Sequence, residues 1–229
     1  MNPVDRRRLL QFLLLGGISS KASAFWFGDD GEEDQAETPG RQIHKLKGDV
    51  QVSGNAASAS TLISPGDEIV TGDNSMIVFH QGKDAYLLRS NTRMQLEKGL
   101  DDYFVDTLRI LGGAVLSVYG SGRKRIITPV ATAGIRGTGT YFEVEDNETY
   151  LCTCYGEVDF TANDDPGVSE ALSTTHHESP RYIRQNSVGT YMVQARPINH
   201  TDTELIMLEA TVDRKPPFVT EEYDPDADY

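Results

Sequence analysis

The chain has two cysteines, and they stand two residues apart, at Cys152 and Cys154 in the run Tyr150-Leu151-Cys152-Thr153-Cys154-Tyr155-Gly156. In an extended strand, residues i and i+2 share a face, so the two sulfurs lie side by side. Their Cα atoms are then roughly 6.5–7 Å apart, the long end of disulfide geometry, and a bridge between them needs a bent or bulged strand. A loop rich in Asp, Ser and Thr follows (163–175), and then His176-His177. A hairpin return through that loop brings one or both imidazoles back over the Cys-x-Cys face. Three chemistries fit this pattern. The thiols can form a strained, redox-active disulfide, or pack as buried small hydrophobes. Alternatively, two thiolates and one or two imidazoles make a site for zinc, copper or another soft metal. His44, His80 and His200 stand outside the pattern and are assigned no role; His200 reads as the flank of a helix.

The elements that must hold these residues are strands. Between residues 43 and 184, short alternating apolar runs are broken by Gly, Asn, Asp and Pro. Val50-Gln51-Val52 follows Gly48-Asp49, and Glu68-Ile69-Val70 follows Pro65-Gly66-Asp67. Met76 to Phe79, Ala85 to Leu88, Ala114 to Val118 and Val158 to Phe160 each follow a glycine-containing break. This is the texture of an all-β domain. Very short strands with small residues at corners favour a β-solenoid-like stack; a β-sandwich is the alternative. The C-terminal extension, 185–229, contains a different pattern. Thr201 and Glu204 have capping-box spacing, and Leu205, Leu208 and Val212 recur at helical intervals. Arg214, Lys215 and Pro216-Pro217 supply the stop. One amphipathic helix is therefore predicted over about 202–213, followed by an acidic tail.

The N-terminus reads as an export signal. Arg6, Arg7 and Arg8 precede a short apolar run from Leu9 to Ile18, and Ala22-Ser23-Ala24 offers a cleavage site, which marks 1–24 as a signal peptide. Asp5-Arg6-Arg7-Arg8-Leu9-Leu10-Gln11 resembles a twin-arginine signal, with Asp5 and Gln11 as departures. Residues 25–40 are acidic and nearly free of apolar side chains after Phe27, a flexible leader by composition. No later stretch is long and apolar enough to span a bilayer. With a formal net charge of −14, the chain is not expected to bind nucleic acid.

One further stretch, 128–142, reads Thr-Pro-Val-Ala-Thr-Ala-Gly-Ile-Arg-Gly-Thr-Gly-Thr-Tyr-Phe. Its glycines permit close backbone approach, and an Arg half-buried among small residues needs acceptors. The stretch thus reads as a self-satisfying turn. Together with Gly-Asp-Glu-Ile-Val-Thr-Gly at 66–72 and Gly-Gly-Ala-Val at 112–115, it resembles the FecR domain family over roughly residues 48–160. The resemblance implies a β-rich periplasmic module used in signalling, binding or scaffolding, without catalytic residues. It implies that Thr128, Pro129, Arg136, Gly137 and Thr138 hold the fold. Signalling members carry a cytoplasmic sigma-factor-binding segment and a membrane span, which a cleavable signal replaces here.

The sequence contains no Gly-x-Ser-x-Gly, no phosphate-binding glycine loop and no His-Glu-x-x-His. The expected function is therefore a non-enzymatic, exported, periplasmic FecR-type binding, scaffolding or signalling-accessory protein with a periplasmic or membrane protein partner. The alternative is a soft-metal or redox protein built on Cys152, Cys154 and His176 or His177, holding zinc or copper.

Overall fold

The computed structural model describes residues 42–99, 105–220 and 223. The expected signal (1–24) and leader (25–40) lie outside the described residues. Among the described residues the chain forms fourteen strands and one helix. In order these are β1 (Ile43–Lys47), β2 (Val50–Val52), β3 (Asn55–Ala56), β4 (Glu68–Thr71), β5 (Met76–Gln81), β6 (Asp84–Leu88) and β7 (Arg93–Lys98). They continue as β8 (Val105–Val118), β9 (Arg123–Ile127), β10 (Ala131–Glu145), β11 (Glu148–Ala162), β12 (Ser169–Thr174), β13 (Arg181–Asn186), β14 (Gly189–Gln194) and α1 (Asp202–Ala210). The fold is all-β with a C-terminal helix, as the sequence texture implies. The pairings are antiparallel except for one parallel ladder between β8 and β9.

β8, β10 and β11 are 14, 15 and 15 residues long, and each bends at glycine. Their two halves take different partners. The C-terminal half of β8 pairs with β6 and β10, and its N-terminal half with β7 and β9. In β11, 148–151 pairs with β13, while 156–161 pairs with β12. The result is a continuous sheet made of two segments, one running from β1 to β14 and one from β3 to β12, joined through the bent strands. Gly113, at φ +89°, is the kink in β8, and a Cβ there would lie 2.4 Å from the Cα of Thr92. Gly156, at φ +95°, is the kink in β11, and its Cβ would meet Thr138 Oγ1 at 2.8 Å. Both positions require glycine for conformation and for space.

Period-2 alternation then sorts the apolar residues onto two faces. Phe79, Tyr86, Leu88, Val115, Phe142 and Leu151 from one segment meet Val52, Ile69, Leu96, Ile126, Val158 and Phe160 from the other in a single inner cluster. The outer face of the first segment carries Val78, Leu87, Leu116, Val118, Tyr141, Tyr150, Cys152 and Cys154. α1 covers that face with Leu205 and Leu208, both fully buried. Each of these leucines contributes about 1.5–3 kcal/mol through burial. The helix is shorter than its predicted 202–213, ending in turns after Ala210. Its capping box is formed: Thr201 Oγ1 accepts from the Glu204 N–H, and the Glu204 carboxylate accepts from the Thr201 N–H. The β-domain boundary at 184 falls inside β13. The β13–β14 hairpin carries the sheet on to Gln194, because Ile183 on its inner side belongs to the main apolar cluster.

Candidate functional site

Cys152 and Cys154 lie on the outward side of β11, fully buried beneath the C-terminal segment, and neither is in a disulfide. β12 runs back antiparallel along β11 and ends opposite Gly156. The chain then turns through His177, which sits at φ +53°, and the His177 N–H donates to the Cys154 carbonyl at 2.9 Å. That turn swings the His177 ring over the Cys-x-Cys face, with Nδ1 3.4 Å from Cys152 Sγ. The hairpin return inferred from the sequence thus brings His177 to the cysteines.

His176 goes elsewhere. Its ring stays 5.0 Å from that of His177 but stacks on Phe218 at 4.4 Å, outside the cysteines' donor group. Its Nε2 lies 2.9 Å from both carboxylate oxygens of Asp202. The place left beside the cysteines is taken by His200, whose Nε2 is 2.9 Å from His177 Nδ1. His200 is 5% exposed and stacks on Tyr141 at 4.5 Å. Nothing in the spacing of the sequence assigns it a role. The available signal was its position just before the N-cap of a helix whose apolar stripe must land on the Cys-x-Cys face.

Cys152, Cys154, His177 and His200 each offer a donor atom, and these atoms all lie within 4.8 Å of one another in a buried site. Two sulfurs and two imidazole nitrogens at this spacing are a donor set for a tetrahedral soft metal ion. The Cys152 thiol is held down to about 3, first by the hydrogen bond from Cys154 and then by His177 and His200, against the opposing effect of burial. Cys154, fully enclosed, is pushed well above the ordinary thiol range by that burial. Asp202 forms the outer layer. As the first residue of α1 it benefits from the helix dipole. It accepts from His177 Nε2 at 3.1 Å and from the Tyr223 hydroxyl at 2.9 Å. At the far end of α1, the buried Glu209 accepts from the Tyr155 hydroxyl and from Arg214 Nε.

The residues of the FecR-like stretch do different work. Thr128 Oγ1 donates to the Ala131 carbonyl and accepts from the Ala131 N–H and the Thr149 hydroxyl. Thr138 Oγ1 lies 2.7 Å from the Arg136 carbonyl and 3.0 Å from that of Glu157. Gly137, at φ +55°, sits in the β10 bulge, and the Pro129 carbonyl accepts from Asn163. Arg136 departs from the expectation. Its neighbour Ile135 faces the core, so alternation turns the guanidinium outward. It is exposed and lines an open cavity of about 620 Å³ together with Arg123 and Arg125. Arg136 serves the turn through its backbone carbonyl, which accepts from Thr138 Oγ1, while its side chain is exposed. His44 and His80 also differ from their reading as isolated residues, since Nε2 of one lies 2.7 Å from Nδ1 of the other across β1 and β5.

No family model matches the chain, and no curated protein matches it. The FecR resemblance therefore stands on the quoted motifs. Two solved structures of a candidate anti-sigma factor from Parabacteroides distasonis are similar to it at 12% identity and a TM-score of 0.46. In one the match covers 56% of this chain and 59% of the other; in the second, 61% and 71%.

Proposed function

We propose that this chain is a non-enzymatic FecR-type module that serves as a binding, scaffolding or signalling accessory through contacts with another protein. The observation that carries this reading is where the motif residues fall. Gly113 and the Arg136-Gly137-Thr138 bulge occupy the bends at which β8 and β10 pass from one sheet segment to the other, so the motifs are spent on architecture. The sealed Cys–His cluster supports the same reading, because a catalytic metal or thiol site keeps a position open to substrate. β14 supplies a surface for contact. Among the described residues it pairs with β13 alone, and Val188 and Tyr191 beside and on it are 93% and 41% exposed. An open edge of this kind accepts a further strand from a partner.

Export to the periplasm by the twin-arginine route belongs to this proposal and rests on the Arg6-Arg7 pattern. The test is photocrosslinking in the intact cell, with a crosslinking residue at Tyr191 and a control at Leu62, which is 70% exposed outside the β14 edge. A discrete protein adduct from position 191 alone, formed in the periplasmic fraction, is the expected result. Equal adducts from both positions, or none from either, would overturn the docking reading. Retention of export after Arg6→Lys with Arg7→Lys would overturn the assigned route.

A further inference from the structure

We propose that Cys152, Cys154, His177 and His200 bind one zinc ion, and that this ion clasps α1 to the sheet. Hydrogen bonding assigns the ring nitrogens. His177 Nε2 faces a carboxylate oxygen of Asp202 at 3.1 Å, and a carboxylate only accepts, so Nε2 carries the hydrogen. His200 Nδ1 faces the Ile198 carbonyl at 2.6 Å, and by the same argument it is the N–H. In the neutral rings, His177 Nδ1 and His200 Nε2 are therefore left with lone pairs, and they point at each other across 2.9 Å. Both cysteine sulfurs stand beside them in a buried site. Two imidazole nitrogens with lone pairs and two thiols that can each release a proton converge on one point, the donor set that takes up a soft divalent cation in exchange for those protons. A single proton joins two of these atoms; a metal ion satisfies all four.

The two bonds that fix the tautomers are also the outer-layer contacts that metal-bound histidines make, one to a carboxylate and one to a backbone carbonyl. The donor spacing fits. Zinc bonds of about 2.3 Å to sulfur and 2.0–2.1 Å to nitrogen give tetrahedral edges of about 3.3–3.8 Å. Cys152 Sγ to His177 Nδ1 is 3.4 Å, and the 2.9 Å between the two nitrogens opens by a few tenths of an ångström when the ion enters. Two thiolates and two imidazoles with no open position make a closed zinc site.

The clasp follows from where the ligands sit in the chain. Two belong to β11, one to the turn after β12, and His200 to the residue before the Thr201 N-cap of α1. Zinc therefore joins the sheet to the start of a nine-residue helix, and Asp202 in the first helical turn supports the neighbouring ligand. Nine residues do not hold a helix unaided. Removing the ion frees the N-terminal end of α1 while the bent strands keep their own core.

The experiment uses the full exported chain, analysed for metal and then titrated with zinc after chelation. One zinc per chain is expected, and cobalt substitution should give the visible bands of a tetrahedral two-sulfur, two-nitrogen site. Asp202→Asn should weaken zinc about 10–100-fold, as loss of an outer-layer partner does. His200→Ala should weaken it further, and His44→Ala should leave it unchanged. Hydrogen exchange should rise at least about tenfold across 202–210 on chelation, with β5, β6, β8 and β10 still protected. Zinc affinity indifferent to His200→Ala, tighter binding of copper(I) than zinc, or reduced thiols with no bound metal would overturn the zinc assignment. Zinc loss with unchanged exchange in α1, or with uniform exchange throughout the sheet, would overturn the clasp.

Discussion

The Cys–His cluster under α1 and the Thr128–Thr138 corner are both rich in polar groups, and the structure uses them in opposite ways. At the corner, each buried hydroxyl finds a backbone partner within a few residues or across one strand, and the single strong cation, Arg136, is turned into solvent. In the cluster, four metal-ligating groups from three chain segments are drawn into one buried point, their donor atoms all within 4.8 Å of one another. Polar groups that pair locally explain a bend. Ligating groups from separate chain segments that converge on one buried point offer a place to bind an ion.

Gly156 lies between the two regions, two residues from Cys154 and packed on Gly137 and Thr138. Gly156→Ala should therefore damage both, costing at least about 3 kcal/mol through left-handed strain and overlap with backbone. Chemical denaturation would show this as a large fall in midpoint. Leu208→Ala acts on the cluster side alone. It removes a fully buried leucine from under α1 and should cost about 2–5 kcal/mol, with the loss of protection concentrated in the helix. Thr128→Val tests the corner alone. It strips the Ala131 N–H and the Thr149 hydroxyl of their partner and should cost about 1–3 kcal/mol by thermal melting, with no effect on zinc affinity. Arg136→Ala should shift stability by less than about 0.5 kcal/mol, as exposed substitutions do. A large loss of melting temperature there would restore Arg136 as a brace and erase the contrast between the regions.

Features carried by local pattern were legible in the sequence. Val50-Gln51-Val52, Met76 to Phe79 and Ala85 to Leu88 all fall in strands, because alternation and flanking glycines act over a few residues. The Thr201–Glu204 capping box located α1 for the same reason. The spacing of two puts Cys152 and Cys154 on one face, and the return of the chain after 163–175 carries His177 to them. His200 could not be found this way. Its contact with the cysteines depends on α1 crossing the outer face of the first sheet segment, a decision made by Leu205 and Leu208 packing far from either cysteine in sequence. The orientation of Arg136 is likewise hidden in the sequence. A glycine-rich run hides the alternation that Ile135 reveals once the ladder with β9 and β11 is formed. The joining of two segments through β8, β10 and β11 has no local signature beyond the glycines that permit it.

The central claim is that the converging donors hold an ion, and native mass spectrometry of the exported protein tests it most directly. The expected mass is that of the chain plus one zinc, less the protons displaced from the cysteine thiols, with the added mass lost on acidification. The bare mass with both thiols intact, in protein never exposed to chelator, would contradict it.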